Sequence, residues 1–308
     1  MNYRECYKRG VVQLERNGVP EPENDARLLL EYVCGTNRNT LLAHGDMSVE
    51  EEKRSRYEEL LAKRSSRIPL QILTGEQEFC GLTFQVNEHV LIPRQDTEIL
   101  VEQALKVLKP AMHLLDMCTG SGCILISLLA MSKKIYGEGV DISEKALEVA
   151  KANAKRLLPE EKQPQWHCGD LFGALSGETN FEYADTVSMG AGTCTFADVS
   201  ECKSVFDVIV SNPPYIPSAV IDTLMPEVKD FEPRGALDGS EDGLLFYKRI
   251  VKEGEPFLVK GGFLLFEIGH DQGEAVKTIM EEGGFKNINI IKDYAGLDRV
   301  VMGQKTTT

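Results

Sequence analysis

Ser211-Asn212-Pro213-Pro214-Tyr215 is the stretch of this chain whose residue types point most directly to chemistry, and it follows the apolar run Phe206-Asp207-Val208-Ile209-Val210. Proline fixes φ and has no N–H, so two in a row stop a strand and cannot enter a helix interior. The chain must leave the strand in a stiff turn, with the Asn212 side-chain oxygen and the Pro213 carbonyl available as acceptors. Two acceptors beside an aromatic ring suit a planar NH₂ group. Accepting both of its hydrogens orients the nitrogen and stabilises positive charge as it develops there. Such a site would let the chain methylate an amide or amino nitrogen if a methyl donor is bound nearby, with Tyr215 packed on the plane. Asn212, Pro213 and Tyr215 are the candidate catalytic residues. The four residues Asn212, Pro213, Pro214 and Tyr215 are the candidate substrate site.

A methyl donor needs a site of its own. Asp116-Met117-Cys118-Thr119-Gly120-Ser121-Gly122-Cys123 ends one strand and opens a helix. Its glycines permit a tight turn and let a ligand approach the backbone at a helix N-terminus. No Lys follows the second Gly, so it is not a P-loop. About twenty residues on, Gly139-Val140-Asp141-Ile142-Ser143 puts an acid at the end of the next strand, an offset that suits a carboxylate taking both hydroxyls of a ribose. In Gly169-Asp170-Leu171-Phe172, Asp170 offers an acceptor for an exocyclic amine and Leu171 an apolar face for a ring. A dinucleotide fits the first two sites equally well, but a strand ending in Asn-Pro-Pro-Tyr favours a methyl donor over hydride transfer. The candidate donor-binding residues are Cys118, Thr119, Gly120, Ser121, Gly122, Asp141, Asp170, Leu171 and Asn212.

These residues need strands and helices to hold them. Residues 1 to about 75 carry helical periodicity, over Arg4–Asn17, Glu23–Cys34 and Ser48–Arg67, with stops at Asn17-Gly18 and Gly35. Residues 76–92 read as a β-hairpin linker around Gly81. From 93 to 308 helices and strands alternate: helix 97–108, strand 113–117, helix 122–131, strand 135–140, helix 143–157, strand 205–210, helix 243–258, strand 262–268, helix 272–282 and a strand pair 288–292 and 299–302. That alternation predicts an α/β fold, a doubly wound, seven-stranded, mostly parallel sheet, with an antiparallel edge strand in the final pair. Residues 173–204, rich in Gly, Ser, Thr and Asp, read as a flexible insert.

Composition bounds the partners. The chain has 308 residues, is 42% apolar and carries a formal net charge of −14. Such a surface disfavours bulk nucleic acid, whose non-specific binding rests on Lys and Arg. Direct nucleic-acid contact is therefore not expected. No apolar run approaches the length of a membrane span, and the N-terminus lacks a hydrophobic signal region, so the expectation is a cytoplasmic chain with no membrane partner. The 8 cysteines contain no Cys-x-x-Cys pair and the 5 histidines no His-Glu-x-x-His spacing. Free thiols and no metal are expected. The Lys and Arg of residues 53–67 read as a solvated helix face, and Arg94 as either a structural lock paired with Asp96 or Glu98 or a residue bordering the donor or the release factor.

Across nearly its whole length the chain resembles the release factor glutamine methyltransferase family (PrmC or HemK), among the S-adenosylmethionine-dependent methyltransferases of planar nitrogens. The resemblance rests on residues 68–79, on Val90-Leu91-Ile92-Pro93-Arg94-Gln95-Asp96-Thr97-Glu98, on Asp116 to Gly122, on Ser211 to Pro217, on Glu232-Pro233-Arg234-Gly235-Ala236-Leu237-Asp238-Gly239 and on Ala295-Gly296-Leu297-Asp298-Arg299. Cys118 stands where the family usually has Gly, and Gln95 where it usually has Pro. The resemblance implies S-adenosyl-L-methionine held by the 119–122 turn with Asp141, Leu171 and Asn212. It implies a glutamine in a Gly-Gly-Gln loop of a peptide chain release factor as substrate, bound at residues 212–215, and a helical domain that helps grip that protein. The motif alone also admits N6-methylation of adenine in DNA or RNA, or a donor-binding adaptor that has lost transfer.

Overall fold

The computed structural model describes residues 1–175 and 205–306. Most of the expected insert lies outside the described residues. Its first residues, 173–175, close a 3-10 turn, Leu171–Leu175.

The N-terminal periodicity becomes five helices: α1 (Tyr3–Arg16), α2 (Pro22–Cys34), α3 (Arg38–Ala43), α4 (Glu51–Ser65) and α5 (Leu70–Thr74). Asn2 and Glu5 cap α1 reciprocally, and Gly35 ends α2 in the left-handed conformation. Their apolar faces meet around Leu14, Leu29, Leu30, Leu60 and Leu61, with Tyr57 buried among them. The Tyr57 hydroxyl donates to the Ala26 carbonyl at 3.0 Å. A Cβ at Gly10 would lie 2.1 Å from that hydroxyl, so a glycine in mid-helix is the condition for the ring to fit.

Arg64 departs from the expected solvated face. It is 5% exposed and bridges Asp25 on α2, at 2.7 Å, to Glu227 far along the chain, at 2.9 Å. Arg67 adds its Nε to Glu227 at 2.6 Å. The helices are thereby tied by a buried ionic cluster to the segment that follows Asn-Pro-Pro-Tyr.

The hairpin comprises β1 (Glu76–Phe79) and β2 (Leu82–Gln85). Its turn puts both Cys80 and Gly81 at positive φ, the geometry whose twist matches paired strands. The seven-stranded sheet then builds from β3 (His113–Met117), β4 (Tyr136–Asp141), β5 (Gln165–Cys168), β6 (Phe206–Ser211), β7 (Leu258–Glu267), β8 (Lys286–Lys292) and β9 (Asp298–Gln304), in the order β5-β4-β3-β6-β7-β9-β8. The helices α6 (Glu98–Val107), α7 (Cys123–Met131), α8 (Glu144–Leu157), α11 (Leu245–Gly254) and α12 (Gly273–Glu282) alternate with the strands, and two apolar clusters form with them. The short helices α9 (Ser218–Ile221) and α10 (Pro226–Lys229), which the periodicity does not signal, follow β6 and carry Glu227.

The sheet is parallel except at β9, which runs antiparallel to both β7 and β8. The antiparallel strand is therefore internal rather than at the expected edge, which β8 forms, because β9 pairs on both sides. The expected helix over 243–258 is shorter because Pro256 sits in a 3-10 turn, and β7 starts earlier, at Leu258. Among the described residues no helix is long and apolar enough to cross a membrane.

Arg64→Ala strands Asp25 as a buried, uncompensated charge and leaves Glu227 to Arg67 alone. It is expected to cost roughly 3–5 kcal/mol of stability, read as a lower urea midpoint. An unchanged midpoint would show that the cluster carries no weight.

Candidate functional site

The chain runs outward through β3, β4 and β5, then crosses to β6 on the other side of β3. Ligands of open α/β sheets bind at such a switch point, beyond the carboxyl ends of the strands. Met117 at the end of β3 is in register with Val140 on β4 and with Ser211 on β6. The Ser211 hydroxyl donates to the Met117 carbonyl at 2.6 Å. Both candidate turns therefore leave the sheet side by side.

The turn after β3 is tightly tied. Thr119 N–H donates to Val140 at 3.0 Å and Gly122 N–H to the Thr119 carbonyl at 2.9 Å. Beneath it Asp116 is fully buried and accepts from the Thr119 hydroxyl at 2.6 Å. Burial pushes the Asp116 carboxyl up to about 7. Asp141 spends one oxygen on Gly120 N–H, at 2.8 Å, and the other on Ser143 N–H, at 2.9 Å. Desolvation nonetheless raises it above the ordinary carboxylate value. From α8 the buried Asn153 exchanges two hydrogen bonds with the backbone of Gln85 and donates a third to the Ser121 carbonyl at 3.0 Å. It fastens the hairpin to the turn.

Cys118 occupies a left-handed conformation, φ +63, where glycine is at ease. Leu171, after β5, does the same at φ +48. Each such residue stores about 1 kcal/mol or more, and both border one cavity. Burial also pushes the Cys118 thiol well above its usual value. Asp170 is paired with Arg249 on α11 at 2.9 Å, and Arg249 holds Glu253 at 2.8 Å.

The cavity has a volume of about 310 Å³. Of the residues expected from sequence it is bordered by Cys118, Thr119, Gly120, Ser121, Asp141, Asp170, Leu171, Asn212 and Pro214. Gly122, Pro213 and Tyr215 are not on its lining. Gly122 packs against the protein instead: a Cβ there would sit 2.9 Å from Ile126 and 3.2 Å from Trp166. Pro213 is buried. Tyr215 is half-buried, and burial raises its hydroxyl above the usual tyrosine value.

The Asn-Pro-Pro-Tyr turn is held from outside the cavity. Asn212 Nδ2 donates to the Thr97 hydroxyl at 3.4 Å, leaving the side-chain oxygen as its acceptor. The Tyr215 carbonyl accepts from Gln272 at 3.0 Å. Ile216 exchanges backbone bonds with Leu237 and Gly239, at 3.0 and 2.9 Å. A Cβ on Gly239 would lie 2.8 Å from the Tyr215 backbone, and one on Gly243 would lie 2.3 Å from its carbonyl oxygen. The Arg94 guanidinium pairs with the buried Glu232, and Arg94, Pro233, Gly235, Ala236 and Asp238 also border the cavity. Arg94 thus borders the cavity, and its partner is Glu232 rather than the expected Asp96 or Glu98.

Thr97, Ile142, Phe246 and Asn153 were not singled out by sequence. Ile142 had a legible signal, an apolar residue directly after the acid at a strand end, and it is 54% exposed. Asn153 had one too, as an amide on the apolar face of a helix. Thr97 and Phe246 carry none.

The sheet order, the Gly turn with its acid, and the Asn-Pro-Pro-Tyr turn beside it define an α/β methyltransferase fold. The family follows from the comparisons. The model of the PrmC N-terminal domain matches residues 5–75. The chain is 38% identical to the release factor glutamine methyltransferase of Fusobacterium nucleatum subsp. nucleatum, over 98% of this chain and 78% of that protein. It is 36% identical to that of Caulobacter vibrioides, over 95% and 93%, and 34% identical to that of Koribacter versatilis, over 100% of both. The chain belongs to the release factor glutamine methyltransferase family. Solved structures with a similar course include a methyltransferase from Pyrococcus furiosus, 15% identical, TM-score 0.47, covering 73% of this chain and 90% of that one. Another is the E. cuniculi Mtq2–Trm112 complex, 19% identical, TM-score 0.45, covering 71% and 99%.

Two predictions follow from the strained turn and the carboxyl beneath it. Cys118→Gly is expected to leave stability unchanged or raise it by up to about 1 kcal/mol, whereas the β-branched Cys118→Val loses roughly 2 kcal/mol or more. Chemical unfolding of both variants measures the difference. The folded-state value of Asp116 lies above its unfolded one, so its contribution to stability is full at low pH. It is lost as pH rises from about 4 to about 7. Asp116→Asn should flatten the pH dependence of stability in that window and gain on the parent chain toward neutral pH. An identical slope in both proteins would contradict the assignment.

Proposed function

We propose that this chain transfers a methyl group from S-adenosyl-L-methionine to the side-chain nitrogen of a glutamine, in the Gly-Gly-Gln loop of a peptide chain release factor. The observation that carries the reading is the placement of Asn212. It borders the cavity one strand from the Gly turn, with its amide nitrogen engaged by Thr97 and its oxygen left to accept.

The residues present fit the donor. A Cβ at Gly120 would meet nothing within 4 Å, which leaves open space at a backbone that a ligand can approach. Asp141 keeps a free lone pair on each oxygen for two ribose hydroxyls. Leu171, Ile142 and Phe246 offer apolar faces to a ring. Asp170 has one oxygen on Arg249 and one left for an exocyclic amine. Thr119, Ser121 and the Cys118 backbone complete the cradle, with Gly122 supporting it from below.

S-adenosyl-L-methionine supplies a methyl group already activated by its sulfonium. The work left to the chain is on the amide, a poor nucleophile because its lone pair is shared with the carbonyl. The Asn212 oxygen and the Pro213 carbonyl accept the two N–H hydrogens, fix the nitrogen's direction and stabilise its positive charge as the new bond forms. Tyr215 packs against the amide plane, and Pro214 keeps the turn stiff. The nitrogen then gives up one proton to solvent water, which leaves N5-methylglutamine, with S-adenosylhomocysteine as the other product. The helical segment helps grip the release factor.

Labelled S-adenosylmethionine offered together with a release factor and with nucleic acid tests the reading. Label is expected on the release factor. Label on nucleic acid alone would overturn the choice of substrate, and donor binding without transfer would leave a binding adaptor. Asn212→Ala is expected to lower kcat on the order of 100-fold or more with an unchanged melting temperature. Parental activity in that variant would remove Asn212 from the mechanism.

A further inference from the structure

One buried carboxyl has no part in the roles above. Glu267 ends β7, and because Phe266 is in register with Ser211, it lies alongside Asn212. It is 2% exposed. Its carboxyl faces the Thr97 hydroxyl and the Asn212 side chain, both of which favour its charged form. Its Oε2 has no hydrogen-bond partner among the described residues. Thr97 is the residue that also receives the Asn212 amide, at 3.4 Å. Glu267, Thr97 and Asn212 therefore form one connected group behind the cavity wall.

The surroundings do not explain Glu267 as a stabilising charge. The cation facing it is Arg299 on β9, which is already shared by Asp96 at 3.2 Å and Asp293 at 3.1 Å. Asp96 adds a like charge from the turn before α6. The remaining titratable groups that face it are the Tyr215 hydroxyl, the Tyr247 hydroxyl on α11 and the Cys123 thiol on α7. Tyr247 donates to the backbone carbonyl of Glu267 at 3.0 Å. A carboxyl buried with so little compensation costs stability, and an apolar or neutral residue would cost less.

We propose that Glu267 is a positioning residue for methyl transfer: with Thr97 it holds the Asn212 amide nitrogen, and in its ionised form it makes the Asn212 oxygen a stronger acceptor for the substrate nitrogen. This rests on the function proposed above. The physics is that of a charge-assisted hydrogen bond in a low-dielectric site. An anion accepting from one end of an amide draws its dipole toward itself and leaves more negative charge on the oxygen at the other end. That oxygen then does more for a nitrogen whose positive charge grows only during transfer, so the benefit falls on kcat rather than on binding. Burial pushes the Glu267 carboxyl up to about 7, with the Thr97 and Asn212 side chains and Arg299 pulling the other way. Its charge therefore changes across the neutral range, and kcat should fall as pH drops below about 7.

Glu267→Gln keeps the shape and removes the charge. Expected for this variant, assayed with full-length release factor, is a kcat lower by roughly 10- to 100-fold. KM for both substrates should stay close to the parent values, and the acid limb of the kcat profile should disappear. Difference infrared titration of the ligand-free protein should show protonated carboxyl signal from Asp116 and Glu267 that fades through about pH 7, and the variant should lose the Glu267 share of it. Thr97→Val removes a hydroxyl that favours the ionised form. It should move both the acid limb and the infrared midpoint to higher pH, which keeps the test open should Glu267→Gln fold poorly. Parental kcat and an unshifted pH profile in either variant, in a protein that does methylate glutamine, would overturn the role of Glu267 alone. A parent protein that methylates no glutamine would overturn the function and this inference together.

Discussion

The pairing of β3 with β6 is the constraint on which the site depends. Met117 and Ser211 are opposite one another, and the Ser211 hydroxyl closes on the Met117 carbonyl at 2.6 Å. The two strands are adjacent in the sheet but 94 residues apart in sequence. Only a doubly wound topology brings them together with their carboxyl ends level. Once they are level, the glycine turn leaves β3 toward one part of the cavity and Asn212 leaves β6 toward the other. A slip in that register would separate the proposed donor and acceptor while leaving each motif intact.

The same edge of the sheet gathers the costs in this structure. Cys118 and Leu171 take left-handed backbone conformations, and Asp116 and Glu267 bury carboxyls that burial holds near neutral titration. Ser240, also left-handed, lies in the 239–243 loop packed on Tyr215. Costs of this kind persist where the surroundings over-determine the conformation. Here the surroundings are two apolar clusters built on β3, β6 and β7, whose Val, Leu, Ile and Phe side chains are nearly all inaccessible. The core thus offsets strain placed where a ligand would bind. The Arg64–Glu227 and Arg94–Glu232 pairs extend the arrangement outward. They hold the segment after the turn between the helical region and the cavity wall.

Much of this was legible in the sequence because it is written in local rules. Strand–helix alternation gives the sheet, Gly120 and Asp141 mark the paired turns that border the cavity, and consecutive prolines mark an abrupt strand end. The misses share a cause: they depend on contacts between distant residues. Arg64 belongs to an ordinary charged helix by pattern, yet its partner lies 163 residues away. The antiparallel strand was expected, but its internal place between β7 and β8 is set by pairing that periodicity does not encode. Thr97 looked like a helix start, and only the fold brings it to Asn212. Glu267 ends a strand as acids often do, and nothing in its neighbours tells that it is buried. Gly122 read as a ligand glycine, whereas its closeness to Ile126 and Trp166 makes it a packing glycine.

The central claim is that Asn212 and Pro213 hold the amide nitrogen of a glutamine beside the donor cradle. The most direct measurement is a crystal structure of this chain with S-adenosylhomocysteine and a Gly-Gly-Gln peptide. The account predicts the glutamine nitrogen about 3 Å from both the Asn212 side-chain oxygen and the Pro213 carbonyl, with the Tyr215 ring against the amide. A glutamine side chain bound elsewhere, or one that presents its oxygen rather than its nitrogen to Asn212, would contradict it.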